Sequence, residues 1–294
     1  MDRIAISSSG LCAEISPLGA ELQRLADMEG HDLLWNGEPA IWAGRSPVLF
    51  PIVGTLRNNS YRLDGRQFSL PRHGFARRRA FHIIRQSDDS VTLRLEDDAE
   101  SRAVYPFAFM LDISFALSGK GLEMAAVIAN PGAEPMPASI GFHPAFRWPL
   151  PFGARRGEHR ITFAQPECAA VRRLDEDGLL SPQPRPSPID GRELALCDAL
   201  FDDDALIIDQ PASSSLVYGA PGRPSLRIGF EGLPFLGLWN KRGGSFICIE
   251  PWQGIADPAG FDGDLREKPG IVLISPGEQR RFAMTVELVA WPGG

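Results

Sequence analysis

Hydrophobic and polar positions alternate with a period of two along much of the chain. Phe109, Leu111, Ile113, Phe115 and Leu117 are interleaved with Met110, Asp112, Ser114 and Ala116. After a Ser-Gly-Lys-Gly turn at 118–121 the pattern resumes at Leu122, Met124, Ala126 and Ile128. Successive side chains of a strand point to opposite faces, so this pair predicts a β-hairpin with one face buried. Val91, Leu93 and Leu95 alternate likewise, as do Leu226, Ile228 and Phe230, and then Phe282, Met284, Val286 and Leu288. Thirty glycines and 26 prolines punctuate these runs, as many short strands joined by turns require. Helical periodicity is weak: 192–201 predicts a turn or two and 99–104 about one. The pattern therefore predicts an all-β fold, a large antiparallel β-sandwich of two sheets packed face to face with few short helices.

Length does not by itself fix the number of domains, since β-sandwiches of 294 residues are common as one unit. The most polar, proline-rich stretch is SPQPRPSPID at 181–190. Strand-like segments resume on both sides of it without a change of composition. It reads as an excursion loop, and a single domain over 1–294 is expected. A net charge of -7 disfavours nucleic acid and anionic membrane as partners. Cys12, Cys168, Cys197 and Cys248 are scattered and form no CxxC spacing, so no disulfide is required and a reducing cytoplasm is expected. The first residues, MDRIAISSSGLCAEI, lack a basic segment followed by an apolar one. No run approaches the roughly 20 apolar residues of a membrane span. A soluble monomer or homodimer is expected.

Candidate chemistry concentrates in FICIEPWQGIAD at 246–257. An apolar strand of Phe246, Ile247, Cys248 and Ile249 delivers Glu250 and is expected to break at Pro251 and Trp252. A carboxylate in such surroundings costs free energy unless paired or used, and a tryptophan beside it can cover the apolar face of a pyranose. The bland alternative is a strand-end glutamate paired with an arginine. Two histidines lie in glycine-containing turns, where scaffolds present functional groups: His73 in PRHGFAR (71–77) and His143 in GFHPAF (141–146). His82, inside FHII, reads as structural. His73, His143 and Glu250 could bind zinc or iron, but they are far apart in sequence and match no close-spaced metal motif. Nucleophilic catalysis lacks a GxSxG elbow or a Cys–His neighbour. General acid–base catalysis asks only for a proton donor and acceptor at the two ends of a reacting bond. Reference pKa values of about 4.3 and 6.5 would leave the glutamate ionised and the histidine protonated near neutrality.

The three segments, in this order, resemble the aldose 1-epimerase (galactose mutarotase-like) family, above all its bacterial branch. The similarity extends through GAELQRL (19–25), DLLWNGEPAIWAGRSPVLFPIVGTL (32–56), YPFAFML (105–111), LFDDDALII (200–208) and PFLGLWNK (234–241), and so spans nearly the whole chain. The resemblance implies a large antiparallel β-sandwich and a cofactor-free, metal-free mutarotase acting on a small-molecule sugar. It matches Glu250 to the base that removes the anomeric hydroxyl proton and His143 to the acid that protonates the ring oxygen. His73 matches a histidine that hydrogen-bonds the sugar. Asp204 matches a substrate-binding aspartate, with Asp202 and Asp203 as alternative registers, and Trp239 and Trp252 match walls of the cleft. One position departs from the pattern: Thr55 stands where many relatives carry arginine, and Arg57 is a candidate to compensate. Relatives acting on hexose 6-phosphates have HGFAR-like loops, so the run Arg77–Arg78–Arg79 fits either a phosphate-binding site or a solvated strand edge. A non-catalytic sugar-binding protein on the same fold is the competing class, and a metal-dependent sugar isomerase a third.

Overall fold

The structure, a computed structural model, describes residues 3–292. Two antiparallel sheets dominate it. The larger has nine strands in the order Glu193–Ala195, Arg160–Phe163, Ser215–Gly219, Pro224–Glu231, Gln279–Ala290, Gly121–Ala129, Met110–Ser118, Ser90–Glu96 and His82–Gln86. The smaller runs Leu206–Asp209, Phe235–Trp239, Phe246–Gln253, Ile140–Phe142 and Val48–Leu49, and Ala145–Arg147 also pairs with Phe246–Gln253. A three-stranded sheet of Ile4–Ser7, Leu11–Ser16 and Glu21–Asp27 lies against the larger one. The hairpin expected around 118–121 forms with Ser118 opposite Gly121. Gly119 takes φ +55° at its tip, a conformation that glycine adopts without a Cβ penalty.

The alternation read from the sequence marks the inner face of the large sheet. Phe109, Leu111, Ile113 and Phe115 are fully buried, as are Met124, Ala126 and Ile128. They join one core with Leu206, Ile208, Leu236, Leu238, Ile247 and Ile249 of the smaller sheet. The smaller sheet is buried on its other face as well. There Leu49, Ile207, Phe235 and Trp252 form a second apolar cluster, and Ala145, Phe246 and Cys248 a third. A sheet covered on both faces shows no polar alternation, which is why FICIEPW is apolar almost throughout.

Local departures from the sequence reading have identifiable causes. The single α-helix among the described residues, Ala99–Val104, is capped by Asp98, whose carboxylate accepts from the Ser101 N–H at 2.8 Å while the Ser101 hydroxyl accepts from the Asp98 N–H at 2.9 Å. Within 192–201, however, Glu193–Ala195 is an edge strand with only Leu194 inward, and just Asp198–Phe201 winds as a 3₁₀ turn. The 181–190 segment contains no strand. It is held by backbone hydrogen bonds from Ser181 to Arg173, between Arg185 and Val171 in both directions, and between Asp190 and Glu193 in both directions. His82 lies exposed on the edge strand of the large sheet. Cys12 is half-buried, Cys248 is buried, and Cys168 and Cys197 are exposed; all four are free thiols. No helix among the described residues is long and apolar enough to cross a membrane.

The Glu250 strand does not stop at Pro251; it runs on to Gln253. Amides alternate along a strand, and the Ile249 N–H points to the edge where it meets the Pro144 carbonyl at 3.3 Å. The missing N–H of Pro251 therefore faces that same edge. There the pairing is interrupted between Gly141 and Ala145, so the ladder is already open opposite Pro251.

Just beyond this strand, Asp257 joins several segments. Its carboxylate accepts from Lys268 Nζ at 2.6 Å and from the Arg57 N–H at 2.9 Å. Its own N–H donates to the Thr55 carbonyl, and its carbonyl accepts from the Leu180 N–H. Lys268 and Asp257 are both buried. Removing one member of a buried pair strands the other charge and costs roughly 3–5 kcal/mol. Lys268→Met should lower the unfolding free energy by about that amount in urea titrations, and a loss below about 1 kcal/mol would show that the pair carries no such weight.

Candidate functional site

The register of the smaller sheet brings the principal polar groups together. Gly141 pairs with Trp252 and Ala145 with Cys248. Three residues lie between the two positions on each strand, so His143 falls opposite Glu250 although the ladder is broken there. Glu250 faces Gly237 on its other side, while Trp239 faces Cys248 and Phe235 faces Trp252. Directly opposed residues project to the same face. The outer face thus presents Cys248, Glu250 and Trp252 in file, flanked by His143 and Trp239.

Missing side chains shape this surface. A β-carbon on Gly237 would lie 2.5 Å from Trp252 Cζ2, and one on Gly141 would lie 2.6 Å from its Cδ1. The indole therefore lies flat across two glycines, leaving the space above it open. That space is a cavity of about 240 Å³. Glu250, His143, His73, Asp204, Arg77, Trp239 and Trp252 all line it, together with Trp42 and Arg72.

At its centre His143 Nε2 is 3.2 Å from Glu250 Oε2, with both side chains almost wholly buried. Trp42 stacks on the His143 ring at 5.2 Å, Trp239 meets it edge-on at 5.8 Å, and His73 does so at 5.9 Å. His143 Nδ1 is buried without a hydrogen-bond partner.

His73 sits in a strained turn, at φ +66° followed by Gly74 at φ +69°. Any side chain at Gly74 would collide with the Phe50 carbonyl. The His73 N–H donates to the Gly54 carbonyl at 2.9 Å, and the Gly54 N–H donates to His73 Nδ1 at 3.1 Å. Arg72 Nε also lies 3.2 Å from His73 Nε2. A neutral imidazole accepts at one nitrogen only. The Gly54 N–H and the Arg72 Nε–H therefore compete for one lone pair; the Gly54 donor is fixed backbone, and when it holds Nδ1 the Arg72 side chain must turn away from a protonated Nε2.

Burial sets the charge state. It pushes His143 down to about 3, reinforced by the positive Arg72 and Arg77. It pushes His73 well below the usual range too, with His143, Arg72 and Arg77 adding to the effect. Glu250 is driven well above the ordinary carboxylate value, again chiefly by burial. Asp204 adds to that rise; Arg72 and the Trp252 indole oppose it. The Trp252 N–H stands close enough to favour a charge on Glu250, yet it is not aligned as a hydrogen bond. Burial thus works against the ionised glutamate and protonated histidine expected from reference values and favours the neutral form of each.

Other sequence candidates separate. Asp204, at φ +61°, faces the cleft, and its carboxylate accepts from the Ala205 N–H. Asp202 faces a different groove beside Arg156 and Asp198. Arg57 also lies outside the cleft, because the turn that follows Thr55 carries it into a second groove with Tyr61, Arg62 and Phe261. The basic run divides. Arg77 turns inward and donates to the Arg72 carbonyl at 2.8 Å, whereas Arg79 turns outward to Asp98 and Glu100. Arg72 and Trp42 were not singled out by sequence, although the first adjoins His73 and the second lies in IWAG. Arg72 Nη1 and Thr55 Oγ1 both approach the α-carbon side of Gly178. Arg72 thus lies on the Thr55 side of the cleft, which Arg57 does not line.

Fold and cleft define a protein of the galactose mutarotase-like class of β-sandwiches. The family model described as aldose 1-epimerase matches residues 2–226, and the chain belongs to that family. The chromosomal LacX protein of Lactococcus lactis subsp. lactis is 32% identical over 283 residues, covering 93% of this chain and 95% of its own length. A galactose mutarotase related enzyme from Lactobacillus acidophilus superposes with a TM-score of 0.90 at 30% identity, covering 98% of each chain. A galactose mutarotase-like protein from Lactobacillus casei ATCC 334 gives 0.90 at 27% identity, covering 98% of this chain and all of its own.

The two buried groups make opposite contributions to stability. Between about pH 3 and 6.5 the unfolded chain binds a proton at His143 that the native protein does not, so stability rises with pH. Above pH 4.5 the unfolded Glu250 releases a proton that the native carboxyl retains, so stability falls with pH. Glu250→Gln removes only the second effect. Its unfolding free energy should climb more steeply than that of the wild type between pH 4.5 and 6.5, by up to about 1.4 kcal/mol per pH unit. Parallel profiles in urea titrations would contradict this account of the pair.

Proposed function

We propose that the protein is an aldose 1-epimerase, interconverting the α and β anomers of an aldose by acid–base ring opening. Support comes above all from the direct contact of His143 Nε2 and Glu250 Oε2, 3.2 Å apart, in a cleft walled by tryptophans.

Glu250 takes the proton from the C1 hydroxyl while His143 gives one to the ring oxygen. The C1–O5 bond breaks, leaving an aldehyde at C1 and a hydroxyl at C5. Rotation about C1–C2 turns the other carbonyl face toward O5. Closure returns one proton to His143 and the other from Glu250 to the new anomeric oxygen, so the enzyme ends as it began. A neutral carboxyl beside a neutral imidazole has the same net charge as a carboxylate beside an imidazolium, and one proton crossing between them supplies the reactive form. Sugar hydroxyls that enter the cleft hydrogen-bond to those charges and offset their desolvation. His73 offers its Nε2–H to the sugar, and Asp204 accepts from its hydroxyls. Trp252 covers the apolar C–H face. No cofactor is needed, since acid–base contributions of about 10² to 10⁴ each are ample for a reaction that already proceeds in water.

Glu250→Gln and His143→Gln should each slow mutarotation of freshly dissolved α-glucose or α-galactose by at least about 10² in polarimetry, with sugar binding kept. Binding by calorimetry without any acceleration by the wild type would favour a non-catalytic sugar-binding protein.

Arg72 and Arg77, both on the cleft, favour a second reading of the substrate as a phosphorylated aldose. A charge-assisted hydrogen bond is worth about 1.5–3 kcal/mol. Arg72→Ala should then raise KM for glucose 6-phosphate by roughly 10- to 100-fold and that for glucose far less. Equal turnover of the two sugars by the wild type would remove the phosphate.

A further inference from the structure

Cys248 stands two residues before Glu250 on the same face of the same strand, and the acid–base chemistry leaves its thiol without a role. One ligand atom each from His143, Cys248 and Glu250 lies within 4.8 Å of the other two. All three side chains are buried, and His143 Nδ1 has no protein partner. Imidazole, thiolate and carboxylate make a donor set suited to zinc, with bonds of about 2.0–2.3 Å in tetrahedral array. Such an array spaces its ligand atoms roughly 3.3–3.8 Å apart. Side-chain movements of about an ångström would therefore close the three donors onto one ion. The fourth position would open toward the sugar cleft, which Glu250 and His143 line. Trp35, Trp42, Trp239 and Phe246 surround the thiol, and such a low-dielectric shell strengthens the attraction between a dication and two anionic ligands.

The contrast with Asp27, Glu29 and His31, which also lie close together, is instructive. There the Asp27 carboxylate is already taken by the Glu29 and His31 N–H groups and by His31 Nδ1, and the Glu29 side chain stands in solvent. That cluster is a hydrogen-bonded turn.

We propose that His143, Cys248 and Glu250 form a binding site for a thiophilic divalent cation of the zinc class, which blocks sugar turnover when filled. Binding displaces two protons to solvent, one from the thiol and the one held by the Glu250–His143 pair, and engages the lone pairs that Glu250 and His143 would use on the sugar. The site itself is independent of the sugar reaction; only its inhibitory effect rests on the function proposed above.

The test uses the full chain carrying Cys168→Ser and Cys197→Ser, which removes the two exposed thiols. Titration with Cd²⁺, followed by the ultraviolet thiolate-to-cadmium charge-transfer band, should saturate at one equivalent, and Zn²⁺ should displace the band. Adding Cys248→Ala should abolish it, and adding Glu250→Gln should weaken binding at least tenfold. No saturable band in the Cys168→Ser, Cys197→Ser protein, which leaves the core intact, would overturn the site. So would a band that persists after Cys248→Ala, since that would assign the ion to Cys12. Polarimetry with added Zn²⁺ separates the two proposals. Cys248-dependent binding without any sugar turnover would sink the epimerase reading alone. Turnover unaffected at saturating Zn²⁺ would sink the inhibitory site.

Discussion

The cleft depends on a register that holds across a gap. Phe246–Gln253 is paired on both sides of His143 with the same offset, so the residue that leaves the ladder is delivered opposite Glu250. Two features let the chain leave there. Pro144 limits what the backbone can do after His143, and Pro251 has no amide that would have called for a partner. A one-residue slip would exchange the faces of the whole strand, sending Glu250 into the hydrocarbon core and Ile249 into the cleft. Isoleucines 247 and 249, fully buried against the nine-stranded sheet, make that slip prohibitive. The apolar core thus fixes the chemistry on the opposite side of the same strand.

Holding an imidazole and a carboxyl in so dry a place opposes folding, and the surroundings limit the penalty without removing the reactivity. Burial favours the neutral form of both groups, and His143 Nδ1 is left without a partner. Full satisfaction by protein donors would stabilise the site but leave nothing for a ligand. The ring of Trp42 on one side and the Trp252 indole on the other exclude water while adding few hydrogen bonds.

Much of the fold was legible because the large sheet has one wet face, which imprints a period of two on the sequence. The smaller sheet, dry on both faces, leaves no such imprint. Its two- and three-residue strands, Val48–Leu49, Ile140–Phe142 and Ala145–Arg147, are too short for any periodicity to mark them. The strand end at Pro251 was misplaced for a related reason: proline is a stop only where a partner needs its amide. The meeting of His73, His143 and Glu250 in one cleft could be anticipated from unusual polar residues in apolar or glycine-rich settings. Arg57 could not be placed, since a left-handed turn at Asn58 and Asn59 decides the local path of the chain. Arg72 and Trp42 were hidden for the converse reason, being ordinary loop residues whose direction is set by contacts distant in sequence.

The knot of bonds around Asp257 has a bearing on how the cleft meets a guest. Ala256, its neighbour, forms part of the wall, and Gly54 packs against that alanine while gripping His73. Tension applied at Lys268, behind the cleft, therefore reaches the imidazole through two short peptide segments. A wall braced from the rear surrenders little motional freedom when a ligand arrives, so the outline of the hollow is set before anything enters it.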